Sequence, residues 1–214
     1  MQELFVKLNA IKPMSAALQN RLQLRLKRFE IKAGEHILRA GEICKQIFFI
    51  QSGMVKIYHE DSGKIVVDWI LIEGDICVVV ASFFAQIPSV QYLIALEDCV
   101  CFGITFDELE ESFDLHPEFE RHGRKIVIQY YVIADKREQA LTGKRAYEKY
   151  EWLLTEHPNL LLRVSKLEMA RFLKISESRL GQIKKQFKER QVAEAKRQTR
   201  RIKKGPSSDE PPKK

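Results

Sequence analysis

With 214 residues, 45% of them apolar, the chain is long enough for one large core or two small ones, and its formal net charge is +7. The opening "MQELFVKLNAIKPMS" carries no long apolar run, so a signal peptide is not expected. No stretch approaches the ~18 apolar residues of a membrane span, the richest being "ICVVVASFFAQIP", so the expectation is a cytoplasmic protein with no membrane partner.

In chain order, a short helical start (Glu3–Ile11, then Ser15–Leu26) gives way to brief apolar runs punctuated by Gly34, Gly41, Gly53, Gly63 and Gly74. Between the glycines lie "QIFFIQ", "MVKIYHE" and "KIVVDWILIE", rich in β-branched and aromatic residues, and "DSGK" at Asp61–Lys64 is a hairpin turn signal. Strands of this length and spacing predict an antiparallel sandwich or jelly roll. A further strand pair, "ICVVV" and "SVQYLIALEDCVCFGI", is expected, with "ASFFAQIP" as the connection. Cys44, Cys77, Cys99 and Cys101 form no CxxC pair and have no histidine at ligand spacing; buried thiols are favoured over a metal or a disulfide.

"FDELEESFDLHPEF" predicts a short helix ending before Pro117. From Glu118 to about Leu141 a longer helix follows, with Ile126, Tyr130, Ile133 and Arg137 in one stripe and Val127, Ile128, Tyr131 and Val132 beside it. A helix apolar around so much of its circumference needs partners on more than one side. A second copy of the chain is the preferred partner, with Ile126, Tyr130 and Ile133 as the dimer seam; burial between two domains of one chain is the alternative.

"VSKLEMARFLKISESRLGQIKKQF", Val164 to Phe187, places Met169 and Leu173 one turn apart, then Leu180 and Ile183, with Ile175 between and Ala170 small enough for a close helix crossing. That pattern suits a helix-turn-helix, and equally a plain helical hairpin. The turn position that favours glycine is held by Lys174, at a cost of roughly 1 kcal/mol. Charge favours the DNA-reading version: residues 144–214 hold 20 Lys/Arg against 9 Asp/Glu, a net of +11, which leaves −4 for residues 1–143. Clustered cations displace the counterions condensed on a duplex. Part of the excess is a basic tail, since 10 basic residues meet 4 acidic ones from Lys188 on. "KERQVAEAKRQTRRIKK" extends the helical pattern, "GPSSDEPPKK" is disordered by composition, and no strand pair for a β-wing follows Phe187.

The glycine-spaced "IKAGEHILRAGEICKQIFFIQSGMVKIYHEDSGKIVVDWILIEGDI", the "ALEDC" leading to the long helix and the carboxy-terminal helix pair together resemble the Crp/Fnr family of bacterial transcription regulators, from about Leu4 to Phe187. The resemblance implies an α+β fold. An antiparallel β-roll sensor domain, jelly-roll-like, spans 1–115, and a connecting dimerisation helix spans 116–143. A helix-turn-helix domain spans 144–187, and a basic, partly disordered tail spans 188–214. It implies that the second helix of the pair enters the major groove, with Glu177, Ser178, Arg179 and Gln182 at base edges and Lys166, Lys184 and Lys185 at phosphates. Double-stranded DNA, a second copy of the chain and RNA polymerase are the implied partners. Well-known members carry arginine where Glu177 and Gln182 stand, so a different operator is expected.

Cyclic-nucleotide-binding relatives hold the ribose with a Gly-Glu step and the phosphate with an Arg and a small hydroxyl residue. Aligned on "EGD" and "ALED", those places fall on Val78 and Val79 and on Ser89 and Val90, with Ser82 between them, and no basic residue occurs from Ile65 to Val100. The effector pocket is therefore expected to be degenerate, taking neither cyclic AMP nor cyclic GMP, and the effector is unidentified. The cysteine cluster of iron–sulfur members is lacking. His36 and His59 leave haem open, although lone histidines on strands are usually structural. No metal, cofactor or catalytic residue is expected: there is no Walker loop, nucleophile elbow or metal-binding helix pair. The competing expectation is a sensor or scaffold that does not bind DNA, with a vestigial helix-turn-helix.

Overall fold

The computed structural model describes residues 1–203, with side chains through Lys196, and divides into two units, Met1–Gly143 and Lys144–Lys214. The "GPSSDEPPKK" stretch lies outside the described residues.

The first unit begins with helices α1 (Gln2–Ile11) and α2 (Ala16–Arg25). Leucines four apart, Leu4 with Leu8 and Leu18 with Leu22, form the buried face of each. Ser15 starts α2 by accepting the Leu18 N–H at 3.2 Å, using one of the donors a helix start leaves unpaired. Strands β1 (Lys27–Ile31), β2 (His36–Leu38), β3 (Gln46–Ser52), β4 (Val55–Asp61), β5 (Lys64–Leu71) and β6 (Ile76–Cys77) follow. Helix α3 (Val80–Ala85) precedes β7 (Tyr92–Ala95) and β8 (Cys99–Thr105). The strands form two antiparallel four-stranded sheets, β1-β8-β3-β6 and β2-β7-β4-β5. Ile50 and Cys101 of one sheet and Val55, Ile57 and Leu93 of the other are buried in a common core, which accounts for the apolar runs between the glycines.

"DSGK" closes the β4–β5 hairpin with Ser62 at φ 50° and Gly63 at φ 76°, and Asp61 opposite Lys64. Positive φ at both central residues gives the turn a twist that matches its strands. Two expectations need correcting. "ICVVV" supplies only the short strand β6, paired with β3, because α3 begins at Val80; that helix is anchored by the fully buried Phe83 and by Ser82, whose Oγ accepts from the Cys44 N–H at 2.9 Å and donates to the Ile87 carbonyl at 2.6 Å. "SVQYLIALEDCVCFGI" is two strands in different sheets: the chain turns at Leu96, whose N–H reaches the Met54 carbonyl at 2.8 Å, and β8 then pairs with β1 and β3.

All four cysteines are free thiols and buried. Burial raises the pKa of each above the ordinary thiol range, with Cys101 pushed up to about 12 by desolvation and by neighbouring Cys99. Each histidine considered for haem has a local partner. His36 Nε2 lies 3.1 Å from the Tyr58 hydroxyl, and His59 Nδ1 lies 2.8 Å from Asp68 Oδ2. Among the described residues no cluster of ligating side chains could hold a metal, and no helix is long and apolar enough to cross a membrane.

A capping box, Thr105 with Glu108, opens α4 (Phe106–Leu115), and Pro117 opens α5 (Pro117–Leu141) at the first-turn position where its missing N–H costs nothing. Phe119, His122, Arg137 and Leu141 are the buried residues of α5. His122 is fully buried with Nδ1 3.0 Å from the Glu118 carbonyl and Nε2 2.9 Å from the Lys12 carbonyl, so it ties α5 to the α1–α2 turn.

In the second unit, α6 (Ala146–Glu156), α7 (Leu160–Arg163), α8 (Lys166–Phe172) and α9 (Glu177–Lys203) enclose a small core. Its members include Leu153, Leu160, Met169, Leu173, Leu180 and Ile183. Among the described residues this unit has no strand, so no β-wing accompanies the helix pair.

Candidate nucleic-acid interface

The α8–α9 pair is built as the apolar spacing predicts. Met169, Ala170, Leu173, Leu180 and Ile183 are each at most 2% exposed, so the two helices close on one another through these residues. Ser165 caps α8, accepting the Glu168 N–H at 3.2 Å, and Ser176 caps α9, accepting the Arg179 N–H at 3.1 Å. Between them the Ile175 N–H reaches the Ala170 carbonyl at 3.0 Å and the Lys174 N–H reaches the Arg171 carbonyl at 3.1 Å. That pair of bonds is a Schellman ending, which requires a left-handed residue, and Lys174 takes it with φ 54°. A side chain there is strained, so Lys174→Gly is expected to raise the melting point of the isolated second unit, by up to about 1 kcal/mol of stability. A thermal melt that falls would show that the Lys174 side chain contributes more than its backbone costs.

Around α9, Leu180 and Ile183 turn inward, and Glu177, Ser178, Arg179, Gln182 and Lys185 are exposed, with Lys184 half-buried. The candidate base-reading residues therefore share the solvent side of one helix start. They are already linked. Arg179 Nη1 donates to Gln182 Oε1 at 3.0 Å, and Lys166 Nζ of α8 lies 3.4 Å from Glu177 Oε1. With one lone pair of its oxygen so engaged, Gln182 keeps the other lone pair and its amide hydrogens, beside the remaining Arg179 donors. In this arrangement Arg179 can meet the two acceptors of guanine, and Gln182 can meet the donor–acceptor edge of adenine. Lys166 is held by Glu177, whereas Lys184 and Lys185 have no ion pair among the described residues.

Two features give no sign in the sequence spacing. Lys149 of α6 stands near Lys174 in the turn; burial first, and then that neighbouring cation, lowers its pKa. Arg190 stacks over Tyr147 with its guanidinium carbon 5.7 Å from the ring centre and donates to the Tyr147 hydroxyl at 3.1 Å. Phe187 packs against Tyr147 and Tyr150, with ring centres 5.5 and 5.7 Å apart. α9 is thus anchored to α6 through Phe187 and Arg190.

In the first unit, the positions matching a cyclic nucleotide's contacts hold no free polar group among the described residues. Val79 is buried, Val78 half-buried and Val90 exposed. Both serine hydroxyls are used internally: Ser82 as described, and Ser89 by donating to the Gln91 carbonyl at 2.8 Å and accepting the Gln91 N–H at 2.9 Å.

Along α5, two of the three expected seam residues face the chain's own β-roll. Ile126 packs on the core, and the Tyr130 hydroxyl accepts the Ile76 N–H at 2.6 Å, while burial raises the tyrosine's pKa. Arg137, two turns beyond Tyr130, donates to the Val67 carbonyl at 3.2 Å and stacks over Trp69. The outward apolar face is Val127, Ile128, Tyr131 and Val132, with Ile133 of the expected seam also exposed.

Residues 28–116 match the family model described as the cyclic nucleotide-binding domain. Solved structures with the same fold include the c-di-GMP-responsive global regulator CLP of Xanthomonas campestris, at 19% identity, TM-score 0.65, and coverage of 82% of this chain and 92% of that one. FixK2 of Bradyrhizobium japonicum matches at 15% identity and TM-score 0.69, over 78% of this chain and 86% of that one. A Crp/Fnr family protein from Eubacterium rectale matches at 15% identity and TM-score 0.65, over 83% and 85%. No curated protein matches in sequence. The chain has the fold of the Crp/Fnr family of transcriptional regulators: a cyclic nucleotide-binding-type β-roll, a long helix and a helix-turn-helix unit.

Proposed function

We propose that this chain is a dimeric, sequence-specific DNA-binding transcription regulator of the Crp/Fnr type, whose sensor domain has lost the polar residues for cyclic-nucleotide binding. The observation that carries the reading is the α8–α9 pair. It presents Glu177, Ser178, Arg179 and Gln182 together on the open side of a capped helix, in a unit of net charge +11. Cations on that unit neutralise phosphates and set affinity; the four helix-start residues read base edges and set sequence preference. The catalytic repertoire of the chain is empty in this reading. A second copy packs along the outward face of α5, and RNA polymerase is the further partner of a regulator of this type.

The test is selection of bound sequences from a random or genomic pool, followed by a salt series on the selected site. Affinity is expected to fall steeply, on the order of 10³-fold between 50 and 200 mM salt. Arg179→Ala and Gln182→Ala are expected to change the preferred sequence, each costing roughly 1–3 kcal/mol at one position, whereas Lys184→Ala weakens all sequences alike. Weak binding at every salt concentration would favour the scaffold reading instead.

Neither cyclic AMP nor cyclic GMP is expected to bind. A cyclic nucleotide carries a phosphate charge, whose transfer to an apolar site costs several kcal/mol unless a cation and donors meet it. The α3 segment and its surroundings from Ile65 to Val100 contain no cation, and the hydroxyls of Ser82 and Ser89 are already spent. Calorimetry with millimolar nucleotide should show no saturable heat; micromolar affinity would overturn the assignment of a degenerate pocket.

A further inference from the structure

A cavity of about 360 Å³ lies among helices α1, α2, α4 and α5 and the β1-β8-β3-β6 sheet. Its walls include Leu8, Leu22, Phe49, Phe102, Phe113 and Ile126, and its polar lining residues, Glu120 and Arg124, both come from α5. The hollow is open on one side, and walls of leucine and phenylalanine favour an apolar guest. Its volume lies within the range of small-molecule sites. Gly123 contributes to the shape: a Cβ there would come within 2.9 Å of the Phe113 ring, so a residue of poor helix propensity is kept where α5 meets α4.

The mouth supplies the second half of the argument. An adjoining depression of about 330 Å³ is lined by Pro117, Glu120, Arg121 and Arg124, and it shares Glu120 and Arg124 with the cavity. Both guanidinium groups are exposed, and neither forms a hydrogen bond or ion pair among the described residues. Two cations against one carboxylate leave a positive rim beside an apolar hole. A nucleotide or sugar would find no partners in these walls. A molecule with an aliphatic body and one anionic end would satisfy both parts.

We propose that this cavity binds an aliphatic carboxylic acid of medium length, its chain among Leu8, Leu22, Phe49 and Ile126 and its carboxylate on Arg124 and Arg121. The guanidinium fork suits a carboxylate in bidentate geometry, and the apolar walls supply affinity through burial. The site goes beyond the DNA-binding reading and does not depend on it, because neither cavity nor rim draws on any residue of Lys144–Lys214.

Calorimetry and thermal melting of the full chain with decanoate, decanol and acetate test it, with no DNA present. Decanoate is expected to bind saturably at one per chain and to raise the melting point; decanol should bind about tenfold more weakly, and acetate not at all. Arg121→Glu with Arg124→Glu should weaken decanoate about tenfold or more while leaving decanol unchanged. Ile126→Trp, which fills the cavity, should abolish both. If that variant fails to fold, the arginine pair, exposed on the surface, still decides the matter. Absence of saturable decanoate binding, or binding that charge reversal leaves untouched, would overturn the proposal.

Discussion

Gly53→Ala is expected to destabilise the Met1–Gly143 unit by roughly 3 kcal/mol or more, a large part of the 5–15 kcal/mol that holds a typical domain together. Gly53 links β3 to β4 at φ +93°, and its N–H donates to Glu73 Oε1 at 3.0 Å. A Cβ at this position would stand 2.5 Å from the Asp98 carbonyl oxygen, 2.6 Å from Cys99 Sγ and 2.8 Å from Cys99 Cα. Two of those three atoms are backbone at the start of β8, the strand paired with both β1 and β3. Moving them disturbs a whole sheet rather than one rotamer. Gly63→Ala is the control: it also has positive φ, at +76°, but nothing lies within 4 Å of its Cβ, so only the backbone cost of about 1 kcal/mol applies. Urea unfolding of both variants measures the difference. Equal midpoints would mean that the β8 backbone yields freely at Cys99.

The second large effect concerns self-association. Val132→Glu is expected to convert a dimer into a monomer, raising the dissociation constant roughly 10²–10⁴-fold. Val127, Ile128, Tyr131 and Val132 are 58, 46, 74 and 46% exposed, a contiguous apolar face along two turns of α5. Each such side chain contributes roughly 1.5–3 kcal/mol when buried. A two-fold interface counts every substitution twice, so one change removes about 3–6 kcal/mol before the cost of desolvating two carboxylates is added. Sedimentation equilibrium at micromolar concentration reads the result. A wild-type monomer, or a Val132→Glu dimer of unchanged strength, would remove this face from the interface.

The α5 helix also shows where sequence stops being informative. Ile126, Tyr130, Ile133 and Arg137 fall on one stripe by spacing, and three of them meet the β-roll while Ile133 stays exposed. Spacing is silent on which apolar face of an all-round apolar helix meets the β-roll. That depends on the Ile76 N–H and the Val67 carbonyl, groups of distant strands that reach Tyr130 and Arg137. The helix pair was more legible because its contacts are local: Ala170, Lys174 and Ile175 define the Schellman turn within six residues. The β7–β8 turn was marked only by Glu97 and Asp98, since "YLIALEDCVCF" carries no glycine or proline at the switch between sheets. The cavity between α1, α4, α5 and the sheet was invisible for the same reason as the α5 partner. Its walls come from residues as far apart as Leu4 and Val127, and no single stretch of sequence encodes an empty space.

α9 runs unbroken for 27 residues, but among the described side chains its packing ends near Arg190, and those of Gln191 to Lys196 are all exposed. Hydrogen bonds closer to Leu180 and Ile183 are shielded by the core of the second unit, and their amide protons exchange with solvent only when that unit opens as a whole. From Gln191 to Lys196 no side chain is buried, so these turns rest on helix propensity and on local pairs such as Arg190 with Glu194, support that is marginal in water for a segment this short. One continuous helix therefore has two stabilities in series. The stretch that carries Glu177 to Gln182 shares the stability of the core beneath it, and the turns from Gln191 to Lys196 can open without disturbing it.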